Sequence, residues 1–193
     1  MQLIGTVTPD RPLLVLAVQE EAAHLGAELP VLLTGIGKVN AAAALATVLA
    51  SGPHPLEVVN LGTAGALRTG LAGRIHRIGT VLQHDLDTAV LHQLTGRTYG
   101  GPITLAPEGP TLATGDLFVS DPAARERLAA AAHLVDMEGY AVAGVARRAQ
   151  VPVRLVKYVS DEAGEGAARA WRDSVDDCAK QLAAWLDGEF GAA

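Results

Sequence analysis

Apolar residues fall in short blocks along the chain. Leu13 to Val18 is a run rich in branched residues that follows Pro12 and passes into Gln19, Glu20 and Glu21. It predicts a buried strand feeding a helix. Pro30 to Thr34 is a second such run, ending at Gly35-Ile36-Gly37. From Lys38 to Leu49 the chain is a near-continuous Ala/Leu/Val segment stopped by Ser51-Gly52-Pro53, which predicts a helix. Leu56 to Leu61 reads as a third strand, closed by Gly62-Thr63-Ala64-Gly65. Further strands are predicted at Ile78–Gln83, Thr111–Ala113, Leu134–Val135 and Val153–Val159, and helices at Pro122–Ala132, Glu138–Ala149 and Ala167–Leu186. Gly96 to Gly109 is the one long irregular stretch and reads as a surface loop.

Strand and helix alternate, which implies a largely parallel sheet with helices on both faces. Such sheets bind ligands beyond the carboxyl ends of their strands. The polar residues just after each strand are therefore the ones to inspect. No linker, internal repeat or low-complexity tract divides the 193 residues, so a single domain spanning 1–193 is expected.

Composition narrows the class. Nearly half the residues are hydrophobic (49%), yet only 4% are aromatic, so the core must be built from Ala, Val and Leu. A net charge of −6 argues against nucleic acid or an anionic membrane as partner. No run approaches the ~18 apolar residues of a spanning helix. The opening MQLIGTVTPDRP lacks the basic and apolar regions of a signal peptide, so a cytoplasmic enzyme is the simplest expectation. Cys178 is the sole cysteine, which excludes an intrachain disulfide; it falls on a predicted surface helix with no charged setting to activate it.

Three acidic positions follow apolar runs: Glu20/Glu21, Asp136/Glu138 and Asp161. In this architecture they converge on one crevice. The plainer reading is that each caps a helix, where carboxylates accept N–H groups and favour the dipole. Gly35-x-Gly37 and Gly62-x-x-Gly65 sit where glycine permits φ > 0 or close approach of backbone to a ligand. Neither is a dinucleotide fingerprint, and Gly37-Lys38-Val39 is not a Walker A loop. His84-Asp85-Leu86-Asp87 invites a metal reading but lacks partner ligands at suitable spacing, so no metal and no cofactor is expected.

Five segments taken together carry a resemblance. They are Gly35-Ile36-Gly37-Lys38-Val39-Asn40-Ala41-Ala42, Asn60-Leu61-Gly62-Thr63-Ala64-Gly65, Thr114-Gly115-Asp116-Leu117-Phe118-Val119, Val135-Asp136-Met137-Glu138 and Val159-Ser160-Asp161. In this order they resemble the signature set of the nucleoside phosphorylase and nucleosidase superfamily, over about residues 13 to 187. Within it the chain is most similar to the methylthioadenosine/S-adenosylhomocysteine nucleosidase branch, whose first strand leads into an acidic cluster, as Ala17-Val18-Gln19-Glu20-Glu21 does here. Phosphorylases of the superfamily tend to carry an early Gly-Asp-Pro-x-Arg element whose arginine holds phosphate. Asp10-Arg11-Pro12 precedes the first predicted strand and is a poor substitute, so water is the expected nucleophile.

The resemblance implies a three-layer α/β fold of the phosphorylase/hydrolase type, with a central mixed sheet flanked by helices. It implies hydrolysis of the N-glycosidic bond of a purine nucleoside, no cofactor, and a homo-oligomer, a dimer by preference. Asp161 would be the general acid at purine N7, with its proton held by a raised pKa or supplied through Ser160. Glu138 would accept the ribose hydroxyls and favour the cationic sugar of the transition state. Glu21, or Glu20 in the alternative register, would orient and deprotonate water, as the base does in inverting glycosidases. Phe118 would stack on the purine and Val119 present its backbone to the base edge. Met137 would lie beneath the ribose. Thr63 would sit beside the water, and Trp171 would line the pocket for the 5′ substituent. Phe118 and Met137 also fit plain core packing, and Trp171 fits a simple anchor for the last helix.

Two departures stand out. Only thirteen residues separate Glu21 from Gly35, where relatives carry an additional pair of strands, so the fold is expected to be shortened near its N-terminus. Lys157 stands where the nucleosidase branch commonly has arginine, so an ion pair to Glu138 or Glu21 would lose bidentate geometry. The alternatives left open are a phosphorylase with another phosphate grip, a futalosine-type hydrolase and a non-catalytic nucleoside binder.

Overall fold

The computed structural model describes residues 1–191. Its elements run, in chain order, β1 (Gln2–Ile4), β2 (Leu13–Leu16), β3 (Val31–Leu33), α1 (Lys38–Ser51), β4 (Val58–Ala66), β5 (Ile75–Arg77), β6 (Thr80–Gln83) and α2 (Thr88–Thr95). There follow β7 (Ile103–Thr104), β8 (Thr111–Thr114), α3 (Pro122–Ala129), β9 (Leu134–Asp136), α4 (Gly139–Arg148), β10 (Val153–Asp161) and α5 (Ala167–Phe190).

The ten strands form one mixed sheet, with β1-β3-β2-β4-β9-β8-β6-β7 as its path and β10 joining β4 to β5. The pairs β2/β3, β2/β4, β4/β10, β6/β8 and β8/β9 are parallel, whereas β1/β3, β4/β9, β5/β10 and β6/β7 run antiparallel. The sheet is thus mixed, as the family resemblance implies, and less parallel than strand–helix alternation alone suggests.

Alternation along β2 shows how the layers form. Leu13 and Val15 pack with Ala41, Leu45 and Val48 of α1 and Val142 and Ala146 of α4. Leu14 and Leu16 point the other way, to Leu182 and Leu186 of α5. Successive side chains on a strand face opposite sides, so a continuous apolar run buries both faces between helices. The small residues on α1 and α4 let these helices lie close together. Cys178 belongs to the buried face of α5, contrary to the surface position expected for it; burial pushes its thiol pKa up.

The segment after β2 also departs from expectation. Instead of a helix, successive turns occupy residues 19–24, with Ala22 N–H donating to Gln19 O and Leu25 N–H to Ala22 O. Strands β2 and β3 are adjacent and parallel, so this connection has to return the full length of β2, and here it does so through turns and not a helix. The sheet edge beside β3 is filled by β1, which lies within the N-terminal stretch that carries no expected strand. β4 does not close at Gly62; it continues through Gly62-Thr63-Ala64-Gly65 to Ala66. The short strands β5 and β7 and helix α2 are likewise additions, β7 lying inside the stretch expected to be irregular.

Candidate active site

A cavity of about 310 Å³ opens at the carboxyl ends of β4, β9 and β10. Every residue singled out from the resemblance lines it: Glu21, Thr63, Phe118, Val119, Met137, Glu138, Ser160, Asp161 and Trp171. Glu20 is exposed, while Glu21 is buried, which decides between the two registers.

Glu21 is pinned by its neighbours. Its Oε1 accepts the Thr63 backbone N–H and hydroxyl, each at 2.8 Å, and its Oε2 accepts Ala17 N–H at 3.3 Å. Trp171 Nε1–H in turn donates to Thr63 Oγ at 2.9 Å. The tryptophan thus lines the cavity and orders the threonine that holds Glu21. A Cβ at Gly62 would lie 3.2 Å from Glu21 Oε1 and 3.4 Å from Lys157 Nζ, so glycine serves close approach here.

Asp161 owes its direction to a register shift. Between Val159 and Asp161 the β10/β4 pairing slips, so that Asp161 faces Gly65. A bulge re-aims a side chain in this way. A Cβ at Gly65 would come within 3.2 Å of Asp161 Oδ1 and 2.9 Å of the Ala163 Cβ. The carboxyl is held at both oxygens, by Ser160 Oγ–H at 2.7 Å and Ala163 N–H at 2.8 Å. Ser160 Oγ also lies 3.4 Å from Ala64 O. Its hydrogen can therefore turn to that carbonyl and leave the serine oxygen to accept a proton held by Asp161.

Glu138 occupies the N-cap position of α4 without capping it. Asp136 does that work instead: its Oδ2 accepts Gly139 N–H at 2.8 Å, and its Oδ1 accepts the Thr114 hydroxyl at 2.6 Å. The helix-capping reading is correct for Asp136 and wrong for Glu138. Freed from the cap, Glu138 reaches across to α1, where its Oε1 accepts Gly37 N–H at 2.8 Å.

Lys157 is fully buried and its ammonium pairs with Asp136 at 3.0 Å, not with Glu138 or Glu21 as the substitution for arginine suggested. Burial alone would lower its pKa, but Asp136, Glu138 and Glu21 outweigh that and raise it. Glu138 behaves oppositely. Burial, helped by Asp136 and Glu21, pushes its pKa to about 7 against the pull of Lys157 and Gly37 N–H. One ammonium among three carboxylates leaves a deficit of positive charge.

Phe118 is 45% exposed, which rules out the core-packing reading for this ring. Val119 is buried and its neighbour Leu117 stands out at the cavity mouth. Met137 is half-buried against the cavity beside Glu138. Sequence reasoning missed Ile36, Leu117 and Arg172 as lining residues. Ile36 and Leu117 lie in loops within two of the motifs, whereas Arg172 is brought to the cavity by the first turns of α5.

Asp85 binds Lys38 Nζ and Asp116 N–H.

This fold and this cavity define a nucleoside phosphorylase-type α/β protein. A family model described as the phosphorylase superfamily matches residues 90–187. The 5′-methylthioadenosine/S-adenosylhomocysteine nucleosidases of Bacillus cytotoxicus and Bacillus thuringiensis are each 31% identical, covering 80% of this chain and 77% of their own length. The chain belongs to the phosphorylase superfamily. Among solved structures, a futalosine hydrolase mutant of Helicobacter pylori superposes with a TM-score of 0.80 at 22% identity, over 92% of this chain and 97% of that one. The 5′-methylthioadenosine/S-adenosylhomocysteine nucleosidase of the same organism, in complex with a butyl-thio-DADMe-Immucillin-A ligand, gives 0.80 at 22%, over 93% and 97%. At that identity these two matches speak for the fold.

Proposed function

We propose that this protein is a nucleoside hydrolase that cuts the N-glycosidic bond of a purine nucleoside carrying a modified 5′ position. The observation that carries this reading is the meeting of Glu21, Glu138 and Asp161 around one cavity, with the Phe118 ring at its mouth. The 31% identical nucleosidases agree with it.

In this reading the bond between C1′ and N9 breaks and its electron pair passes into the purine. Asp161, in its carboxylic acid form, gives its proton to N7, so that the base leaves neutral. Ser160 and Ala163 N–H hold that carboxyl in place. Water attacks C1′ and its proton passes to Glu21, whose orientation is set by Thr63 and Ala17. Glu138 accepts the ribose hydroxyls and its negative charge stabilises the developing sugar cation. Phe118 stacks on the base, Val119 offers its main chain to the base edge, and Met137 packs under the ribose. Trp171 stands at the 5′ end of the site, where it also steadies Thr63.

Water is favoured over phosphate because the chain lacks the early Gly-Asp-Pro-x-Arg element, and the buried ammonium of Lys157 is already paired with Asp136. We infer further that the chain forms one domain and works as a homodimer in the cytoplasm. The exposed apolar side chains of Ile36 and Leu117 at the cavity, and of Val39 on α1 and Val90 and Leu94 on α2, support a partner face. Among the described residues no helix is long and apolar enough to cross a membrane.

The deciding experiment is an assay for released base from methylthioadenosine, adenosylhomocysteine, 5′-deoxyadenosine, futalosine and inosine, with and without phosphate. Release without phosphate is the expected result. Release that depends on phosphate would make the protein a phosphorylase, and no release from any of them would remove the enzymatic reading.

A further inference from the structure

Two loops at the mouth of the cavity carry apolar side chains that gain little from packing: Ile36 on one and Leu117 and Phe118 on the other are all largely exposed. Something other than burial must hold these loops in register. The polar contacts beneath them form a closed ring. Lys38 N–H donates to Asp116 Oδ1 at 2.8 Å, and Asp116 N–H donates to Asp85 Oδ2 at 2.9 Å. Lys38 Nζ closes the circuit on Asp85 Oδ1 and also reaches Gln83 Oε1 at 3.2 Å.

The ring sits on the first turn of α1. This 14-residue helix starts after Gly37, which has φ of 98° and no side chain to cap with. Two successive amides at its start therefore point at two carboxylates from distant parts of the chain. Gly37 N–H takes Glu138, and Lys38 N–H takes Asp116. Asp116 is thus the helix cap supplied from β8's loop, and it lies two residues before Phe118. A Cβ on Gly37 would come within 3.1 Å of Asp116 Oδ1, so the approach is close.

We propose that Asp116 is a positioning residue: by holding the Gly37–Lys38 turn, it sets the donor for Glu138 and the loop bearing Phe118 as a single unit. This rests on the hydrolase reading for the roles of Glu138 and Phe118, but the coupling itself does not. The groups that face Glu138 are Asp136 from β9, Lys157 from β10, Glu21 from the turns after β2 and Gly37 N–H from α1. Of these, only the Gly37 amide is under the control of Asp116. If Asp116 lets go, that amide moves and the carboxylate loses a donor that favours its charged form.

The test uses the full chain labelled with ¹³C-glutamate, with the Glu138 carboxyl assigned by Glu138→Gln. In Asp116→Ala the Glu138 titration is expected to move upward by on the order of half a pH unit, the scale of a weakened helix-terminus donor. Asp116→Asn, which keeps an acceptor for Lys38 N–H, should restore it. Base release by Asp116→Ala should fall about five- to tenfold in kcat/KM, as for a lost cap, and recover in Asp116→Asn. A residue that only caps α1 would lower thermal stability and leave the Glu138 titration in place; that outcome overturns the proposal. Should Asp116→Ala not fold, Lys38→Met breaks the ring at Asp85 while keeping Lys38 N–H. A smaller upward move is expected there, and none would also overturn it. If the wild type releases no base at all, the hydrolase reading fails, while the Glu138 titration still decides the role of Asp116.

Discussion

Near the start of β10, Arg154 donates from Nε and Nη2 to both oxygens of Glu57, from Nη1 to Glu189, and lies 5.1 Å from the Phe190 ring centre. At the middle of the same strand, Lys157 has one close partner, Asp136, while Glu138 and Glu21 crowd around it. The first cluster matches a planar guanidinium to carboxylates in a fork, and it ties the last turn of α5 to the sheet. The second is buried and short of positive charge, and so it keeps a carboxyl that titrates near neutrality. Matched charges hold a structure together. A mismatched set costs stability and supplies groups poised for proton transfer.

This contrast can be broken in order of expected effect. Asp161→Asn should reduce base release by about 10²–10⁴-fold, the usual scale of general-acid catalysis, with nucleoside affinity within a few-fold of wild type. Single-turnover kinetics and calorimetric binding separate the two quantities, and loss of binding with intact turnover would move Asp161 out of the acid role.

Glu138→Gln should lower kcat/KM by about ten- to a hundredfold, the value of hydrogen bonds to a charged acceptor. The wild-type kcat/KM should decline as pH falls through about 7, and that limb should vanish in the variant. The stability effect has the opposite sign. A carboxyl whose folded pKa is raised above its unfolded value near 4.5 makes no difference when protonated in both states, and destabilises the fold as pH rises through 7. Glu138→Gln should therefore be more stable than wild type at pH 8, by about 2–3 kcal/mol, with the gap closing below pH ~5. Urea titrations at both pH values measure it; an equal gap at both would show that Glu138 is not the strained group.

Arg154→Ala should cost about 1–3 kcal/mol of stability, because Glu57 loses its bidentate partner, yet leave turnover per folded molecule unchanged. A change in kcat would mean that the Arg154 cluster and the cavity communicate. The smallest effect belongs to Trp171→Phe, which keeps the ring surface and removes the hydrogen bond to Thr63 Oγ. A fall in kcat/KM of about three- to tenfold is expected, with no change in unfolding midpoint.

Much of the candidate site is legible in the chain because each cavity carboxyl follows an apolar run and lies within a short motif. Asp161, Glu138 and Glu21 are found this way, although Glu20 and Glu21 are indistinguishable until the turns at 19–24 bury one and expose the other. The long strands and helices are legible for a related reason: their periodicity is strong. β1, β5, β7 and α2 are not, since two to eight residues without a buried apolar stripe carry little periodic signal. Asp136 and Glu138 show where local rules stop. Both sit before α4 with a carboxyl suited to capping, and only the approach of Gly37 N–H and Lys157 Nζ from distant elements assigns one to the cap and the other to the cavity.

The sequence by itself thus determined the layered α/β class, the order of the main elements and the chemistry available at the strand ends. These depend on periodicity and on residue type, which are local properties. Tertiary structure alone decided the mixed strand directions, the edge filled by β1, the pairing of Lys157 with Asp136 and the raised pKa of Glu138. Those depend on desolvation and on distances between groups far apart in the chain, and neither quantity exists until the chain has folded.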